Sequence, residues 1–573
     1  MNISRIFILM FFSAVLNAQG YFQPASDQQI NLDEIEIQNG ELFSNHLQIK
    51  PFNKSRSIEE LIKIKSGNSV IQQFNNLTIQ QSSNTFSDST KIIQLIKDNV
   101  EVLYSGSDIS DPEFTYLQSS KPFLNYFYKD GTHFLSAYKK NFQISLDPLL
   151  YFDIGKQDSN ILFINRRGLR VQGSVDQRIF FYTDILETQL TTPSHVHEFV
   201  DLYKSFPGAG LYKNYNSKFP KADRAYDFLI SEAAVEFRAS KHIQLSLGHG
   251  RQFIGSGIRS LLLSDFSTPR FYLKFNTNVW RLHYQNVFTE LSPESLGDQG
   301  NRLLDKKYMA AHYLSINITK NWNAGIFESV VFSRKNGFEL QYLNPVILYR
   351  FIEHSLGSPD NVFIGFHSNV LLYKKFSVYG QILFDEFLLK EFFNSRGWWG
   401  NKYSFQIGCK YINAFGLKNL FLQLEYNQAR PFTYSFRDSI ANYSHFHQSL
   451  AHPMGANFKE LIFALNYQPD SRWSFSTKWF YFNKGLDSTG VNNGGNILLD
   501  YDTRLSDFGH TTLQGISNTV LSGSLNVSYR LFYRAWLDVN LNFRNSKTDQ
   551  QNNNTVWFSG GFRMNLDRVK FDF

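Results

Sequence analysis

From Phe142 to the end of the chain, apolar and polar residues alternate with a period of two. Phe271, Leu273 and Phe275 are interleaved with Arg270, Tyr272, Lys274 and Asn276. Leu521, Gly523, Leu525, Val527 and Tyr529 are interleaved with Ser522, Ser524, Asn526, Ser528 and Arg530, and Ala535 to Phe543 repeats the pattern against Trp536, Asp538, Asn540, Asn542 and Arg544. In Leu420 to Asn427 the same alternation is broken on its polar side by Phe421. Successive side chains of a strand point to opposite faces, so each run predicts a strand with one apolar and one polar face.

About eighteen such runs follow one another, an even number that suits a bacterial outer-membrane barrel. The expected spans are 142–155, 161–174, 176–190, 228–239, 241–250, 270–278, 280–291, 308–319, 322–332, 363–373, 376–386, 402–413, 418–427, 459–468, 471–483, 519–530, 533–545 and 554–566. A soluble sandwich would alternate too. These runs, however, have the ~10 residues needed to cross a bilayer at a tilt, whereas strands of soluble proteins average about 5–6. The connections also sort by parity. Tight turns are expected near Val175, Ser240, Val279, Asn321, Lys375, Pro469–Asp470 and Phe532, while nearly all the long connections, such as 251–269, 333–362 and 428–458, fall on the other parity. Short turns on the periplasmic side and long loops outside are the rule for membrane barrels. That topology puts both termini in the periplasm. The chain closes on Val569-Lys570-Phe571-Asp572-Phe573, which reads as a final strand ending on the kind of aromatic residue that barrel-assembly machinery recognises.

The first 140 residues lack this pattern. Arg5 followed by the apolar run Ile6 to Leu16 and a small residue, Ala18, has the layout of a cleaved secretory signal over residues 1–18. The run is too short to span hydrocarbon, which takes about 20 apolar residues. Residues 19–140 read as a small mixed periplasmic extension, with short helices expected over 57–65 and 89–100 and a polar linker over 75–87.

Composition fits an all-β transmembrane barrel. Phe and Tyr number 56 and 30, yet the mean hydropathy is −0.30. Many aromatics on a polar background are expected of strands that show one face to lipid and the other to water. The net charge of +7 and the absence of any basic tract give no reason to expect nucleic acid as a partner. A single cysteine, Cys409, excludes an intramolecular disulfide and a cysteine-rich zinc site.

Candidate chemistry is sparse. Leu247 to Ser264 (LGHGRQFIGSGIRSLLLS) is glycine-rich, but it lacks the Lys-Ser/Thr pair of a phosphate loop. It reads instead as a strand top whose glycines allow a sharp inward bend, with Arg251 and Arg259 aimed at the pore mouth. His195 and His197, and again His445 and His447 with His452 beyond, could place imidazoles on one strand face, but only Glu198 adds a ligand, so no metal and no cofactor is expected. Neither a nucleophile elbow nor an HExxH motif occurs, and no enzyme activity is expected. Exposed rings beside polar groups suit sugars, whose C–H faces lie on aromatic rings while their hydroxyls form hydrogen bonds. Trp398, Trp399, Arg437, His445 and His447 are candidates of that kind, together with Arg251 and Arg259, although large loops also bury aromatics simply to close a barrel.

Several segments resemble a known family. They are GHGRQFIGSGIRSLLLSD (248–265), QYLNPVIL (341–348), SPDNVFIG (358–365), YGQILFDEF (379–387), WGNKYSFQIGCKYINAF (399–415), LEYNQARPFTY (424–434) and NYSHFHQSLAHPMGANFKE (442–460). Together they resemble the Wzi-like capsule-assembly proteins of the outer membrane, and within them the Bacteroidetes branch described as gliding motility protein RemB. The resemblance covers roughly 140–573. It implies an eighteen-stranded barrel with a periplasmic N-terminal part, a role in holding capsular polysaccharide at the cell surface, and for the RemB-like branch a link to surface motility. Asn344, Asp360, Asn361, Asp385 and Glu386 lie within these motifs, where they could equally cap turns and fix loops. Fold alone does not choose among roles. The expected partners are outer-membrane lipid, surface polysaccharide, and motility or secretion proteins. The alternative reading is a transport channel whose selectivity is set by the lumen charges Lys274, Glu425, Arg530 and Asp538.

Overall fold

The computed structural model describes residues 21–22, 27–44, 46–50, 52–53, 127 and 133–573, apart from 140, 177, 296–303, 335–336, 347, 358–359 and 533. The expected signal segment 1–18, the two expected helices and the 75–87 linker lie outside the described residues.

Eighteen antiparallel strands close into one barrel. They are β1 (Phe142–Gln157), β2 (Asn160–Val175), β3 (Ile179–Leu190), β4 (Lys221–Arg238), β5 (Ile243–Gly250), β6 (Arg270–Val279), β7 (Leu282–Leu291), β8 (Lys307–Asn317) and β9 (Trp322–Phe332). The second half is β10 (Asn361–Leu372), β11 (Phe376–Phe384), β12 (Tyr403–Ile412), β13 (Leu420–Ala429), β14 (Phe458–Tyr467), β15 (Trp473–Leu486), β16 (Ile516–Phe532), β17 (Ala535–Thr548) and β18 (Asn552–Met564). Each strand pairs with its neighbour in sequence, and β18 closes on β1 from Trp557↔Gln157 to Met564↔Leu150. Closure leaves the wall no open edge.

Every expected strand is present. The largest displacement is at β4, which starts at Lys221 rather than 228 because its first residues pair with a strand at Lys213–Lys218 and rise beyond the wall. The outward face is apolar, as in Leu525, Val539, Leu541 and Phe558, with Val539 63% exposed. No helix among the described residues is long and apolar enough to cross a membrane. The long connections 191–220, 251–269, 292–306, 333–360, 385–402, 430–457 and 487–515 all leave the same end. That rim is not level, because 158–159 and 549–551, on the same end, are tight turns.

The interior is filled from three directions. Helix α1 (Asp27–Asn39) and residues 46–50 sit inside the wall at the short-turn end. Lys410 on β12 pairs with Asp33 at 2.7 Å, and Ile37 packs among Leu371, Ile412 and Phe421. Gln48 donates to Ser315 (2.8 Å) and Asn323 (2.7 Å). From the long-loop end the 251–269 connection turns inward until Phe253–Ile254 pairs with Ile49–Lys50. The third segment departs from expectation. β18 stops at Met564, where Asn565 takes a left-handed backbone (φ 56°) that breaks the strand, and 565–573 returns into the lumen. Phe573 is therefore not a residue of the last strand. It is buried against His195, Phe199 and Phe266.

One long connection does not enter or cover the mouth. The 333–360 connection, with helix α3 (Tyr349–Leu356), lies along the outer wall as a strap. Phe338 packs on Phe288, Tyr308 and Phe332, Tyr342 on Phe332, and Tyr349 on His312, all on the outward faces of β7, β8 and β9. Two further helices, α2 (Ser194–Tyr203) and α4 (Leu389–Asn394), belong to the long-loop end.

Candidate functional site

The lumen is a built interior, anchored by polar groups on the wall. Glu425 on β13 accepts from the main-chain N–H of Ile258 (2.7 Å) and Arg259 (3.0 Å) and from the Tyr379 hydroxyl (2.7 Å). Gln381 on β11 accepts from Leu261 N (2.9 Å) and donates to the Ile254 carbonyl (2.9 Å). Gly257 lies so close to this wall that a Cβ there would meet a Glu425 oxygen at 2.4 Å and the Arg259 carbonyl at 2.8 Å. The expected inward bend is thus present, and its glycine is required for close approach. The 430–457 connection lies over it, with the hydroxyls of Tyr434 and Tyr443 donating to the carbonyls of Leu261 (2.8 Å) and Leu262 (2.7 Å).

Several sequence candidates belong to this interior rather than to a ligand surface. Arg259 is buried between Glu460 and Asp572 (both 3.5 Å) and lies over the Phe480 ring at 4.9 Å. Burial disfavours its charge, but Glu460, Asp572 and Glu425 outweigh that and hold its pKa above the ordinary value. His445 is buried and accepts from Ser292 N (2.9 Å); burial, with Arg270 and Lys307 nearby, holds it well below the ordinary histidine value. His447 sits 3.0 Å from the Tyr203 carbonyl. Asp360 holds Arg334 at 2.8 and 2.7 Å and accepts from Tyr342 (2.7 Å), Asn361 donates to Ala441, and Asn344 caps its own turn through Val346 N. These residues fix loops. Tyr434, Tyr443 and His445 are buried, the two tyrosines over the 251–269 connection, and Phe436 is buried against Tyr501 at 5.9 Å.

Of the charges expected to line a channel, Glu425 is used by the loop, Asp538 is held by Arg563 at 2.6 Å, and Lys274 is buried on the inner face. Arg530 lies at the short-turn end, where its Nε donates to the Phe532 carbonyl. Between the three filling segments remains a cavity of about 400 Å³. Arg166, Arg170, Lys478, Arg568 and Lys570 face it, together with Arg251, which pairs with Glu232 at 3.0 Å.

A second cluster sits on top, where the 385–402, 430–457 and 487–515 connections meet. They are joined by main-chain hydrogen bonds from Trp399 to Asp507, Gly509 to Arg396, His510 to Gly397 and Phe432 to Gly494. Trp399 lies 4.6 Å from Tyr501 and 6.4 Å from Phe432, with Trp398 at 5.9 Å. The Arg504 guanidinium covers the Trp399 ring at 3.9 Å while pairing with Asp502 and Asp507, each at 2.7 Å. Beneath them a buried Lys402 joins Asp385 (3.0 Å) and Glu386 (3.4 Å) and lies 4.7 Å from the Tyr501 ring centre. Burial pushes the Asp385 carboxyl up, with Lys402 pulling the other way. Arg437 is exposed in the 430–457 connection.

So the fold brings Trp398, Trp399, Asp385 and Glu386 to one place, and leaves Arg251, Arg259, His445 and His447 below it. Sequence reading missed Tyr501, Arg504, Lys402 and Phe432. The acid-flanked Arg504 in DYDTRLSD was the available signal, since a cation fixed on both sides is well placed to lie on a ring. Among the described residues no group of three or more His, Cys, Asp or Glu could hold a metal ion.

No protein-family model matches this sequence, and no curated protein matches it. Solved structures do. Wzi of Escherichia coli, described as an outer-membrane protein involved in group 1 capsule assembly and as a carbohydrate-binding β-barrel, aligns with a TM-score of 0.53 at 12% identity, covering 95% of this chain and 99% of that one. OprD of Pseudomonas aeruginosa aligns with a TM-score of 0.41 at 12% identity, covering 73% and 94%. OccAB2 of Acinetobacter baumannii gives 0.40 at 9%, covering 74% and 97%. The chain has the fold of an outer-membrane β-barrel, similar along nearly its whole length to that of Wzi.

Proposed function

We propose that this protein is a non-catalytic barrel of the outer membrane that holds polysaccharide at the cell surface on the cap formed by its long connections. The observation that carries this reading is the filled lumen. A barrel occupied by residues 27–50, 251–269 and 565–573 has given its interior to structure, which leaves the loop end as the working surface. The cap offers what a sugar needs: the half-buried Trp398 as an apolar face and the exposed Arg437 as a donor, set on a base of Trp399, Tyr501 and Arg504. The fold shared with Wzi, itself described as carbohydrate-binding, adds support. In this reading the long loops face outward, the first strand begins and the last strand ends on the periplasmic side with the tail 565–573 turned back into the lumen, and residues 1–18 direct export. The resemblance to the RemB-like branch extends the proposal to a role of the held polysaccharide in surface spreading, with motility or secretion proteins as partners.

The test is deletion of the gene, followed by measurement of cell-bound and shed polysaccharide together with colony spreading. Movement of polysaccharide from cells to medium supports the reading. If polysaccharide stays on the cells and spreading stops, the carbohydrate role is lost and a protein partner becomes the function to seek. A second reading, a transport channel, has in its favour the cavity of about 400 Å³, whose lining mixes cations with carboxylates such as Asp184, Glu232 and Asp567. Steady conductance of the intact protein in planar bilayers would establish it.

A further inference from the structure

The lipid-facing wall carries a polar row where alternation calls for apolar residues. Asn286, His312 and Glu328 sit directly opposite one another on β7, β8 and β9, near the middle of each strand. Their inward neighbours are Gln285 and Val287, Ala311 and Tyr313, and Phe327 and Ser329. The three therefore share the outward face with Phe288, Ala310 and Val330. The strap covers them. Tyr349 stacks on the His312 ring with centroids 4.0 Å apart, Glu328 accepts from Arg350 N at the start of α3 (3.3 Å), and the Tyr284 hydroxyl donates to the Pro345 carbonyl.

Anchoring the strap accounts for one Glu328 oxygen and for the ring stack. It does not account for four further atoms: the side-chain oxygen of Asn286, Nε2 of His312, the second carboxylate oxygen of Glu328 and the hydroxyl of Tyr349. Each is buried, none has a hydrogen-bond partner, and the residues are 0–6% exposed. In hydrocarbon such groups are costly, and when present they mark sites. Around them the outer surface of the strap is strongly apolar, with Leu340, Val346, Leu348 and Phe351 all more than half exposed and Val346 83% exposed. The strap is locked at its root by the Arg334–Asp360–Tyr342 contacts.

We propose that this row is a binding site for the head group of a membrane amphiphile that enters between strap and wall from the bilayer. Two of the free atoms are acceptors only, and the imidazole and phenol serve as either donor or acceptor. The site therefore takes a head that presents at least two hydrogen-bond donors, a primary amine or paired hydroxyls, while the exposed apolar residues of the strap lie along the acyl chains. A quaternary ammonium head offers no such donors.

The test uses the full chain in nanodiscs of phosphatidylcholine doped with either phosphatidylethanolamine or phosphatidylglycerol, with retained lipid counted by native mass spectrometry after mild extraction. We expect one doped lipid held per chain at about tenfold preference over phosphatidylcholine. The doped lipid that is retained identifies an amine or a hydroxyl head. The Asn286→Leu/His312→Phe variant, which keeps Glu328 on α3 and a ring against Tyr349, should lose the preference while its heat-modifiable migration stays that of a closed barrel. Absence of preference in the native protein, or equal preference in the variant, overturns the proposal and leaves the row as a strap anchor. Should the double variant fail to close, His312→Phe alone is read in the same way.

Discussion

Arg259 and Asp572, 313 residues apart in sequence, meet inside the barrel at 3.5 Å. Arg259 arrives on the connection that turns in from the long-loop end, and Asp572 arrives on the tail that turns back from the short-turn end. Glu460 on the wall completes the contact at 3.5 Å. Replacing Arg259 by Met removes the cation that joins a buried Glu460, which keeps His452 at 2.6 Å, to a partly exposed Asp572 on the tail. The cost is below the ~3–5 kcal/mol of a fully buried pair broken from one side, but the change unties the two plug segments from each other. We expect the native protein to be nearly silent in planar bilayers and Arg259→Met to show channel openings. A silent variant with unchanged melting would show that the two segments do not depend on each other.

Gly257→Ala tests the same plug by shape. The added methyl group meets the Glu425 and Gln406 side chains of the wall and, at 2.8 Å, the Arg259 carbonyl of its own connection, so the 251–269 connection must shift and change its local bend. Overpacking of this kind costs about 1–3 kcal/mol. The variant should keep its barrel, judged by heat-modifiable migration, while Arg251 to Ser264 becomes open to protease. Protection equal to the native protein would count against the required close approach.

Acid should loosen the plug. Burial, with Arg544 nearby, lowers His195 to about 3, and burial with Arg224 lowers His197 to about 4, Asp201 pulling upward. His445 is lowered well below its ordinary value by burial. A histidine whose folded pKa is depressed contributes stability that is complete above its ordinary 6.5 and is lost as pH falls toward the folded value. Between pH 6.5 and 4 these side chains therefore favour release of the 191–220 and 430–457 connections and of the tail, whose Phe571 carbonyl lies 3.1 Å from His195. Conductance or hydrogen exchange should rise across that window. A flat profile from pH 7.5 to 4 rules this coupling out.

On the cap, two kinds of tryptophan variant should behave differently. Trp398→Ala and Arg437→Ala remove groups at the surface and should weaken polysaccharide retention about tenfold, roughly 1.4 kcal/mol, without altering melting. Trp399→Ala removes a ring packed among Tyr501, Phe432 and Arg504 and should cost about 3 kcal/mol in cap stability as well. If all three leave retention unchanged, carbohydrate binds elsewhere or not at all.

The wall was legible because a membrane strand must alternate, and a one-residue slip would turn every side chain to the wrong solvent. β4 was misjudged at its start because Lys221–Asp227 rises above the wall, where no apolar face is needed. The tail was illegible for a different reason. Val569 to Phe573 alternates like a strand, and only the left-handed Asn565 turns it inward. The polar row was visible in principle. Asn286, His312 and Glu328 each interrupt an otherwise apolar face, but a single interruption reads as noise until register sets the three side by side. The cap depends on contacts between connections separated by a hundred residues, such as Trp399 with Tyr501, and no local pattern encodes those.

Where β17 meets β18 and β1 meets β2 the connections 549–551 and 158–159 are tight turns, while every other one at that end is long. The cap of the 385–402, 430–457 and 487–515 connections is therefore flanked on one side by the tight turn 549–551 and on the other by the strap, which lies on the outer wall. A polymer lying on it need not be threaded by an end; its middle can be laid in from the side. On the proposed function, grip is indifferent to chain ends, and trimming a polysaccharide should leave the affinity per site unchanged until the fragments become shorter than the cap itself.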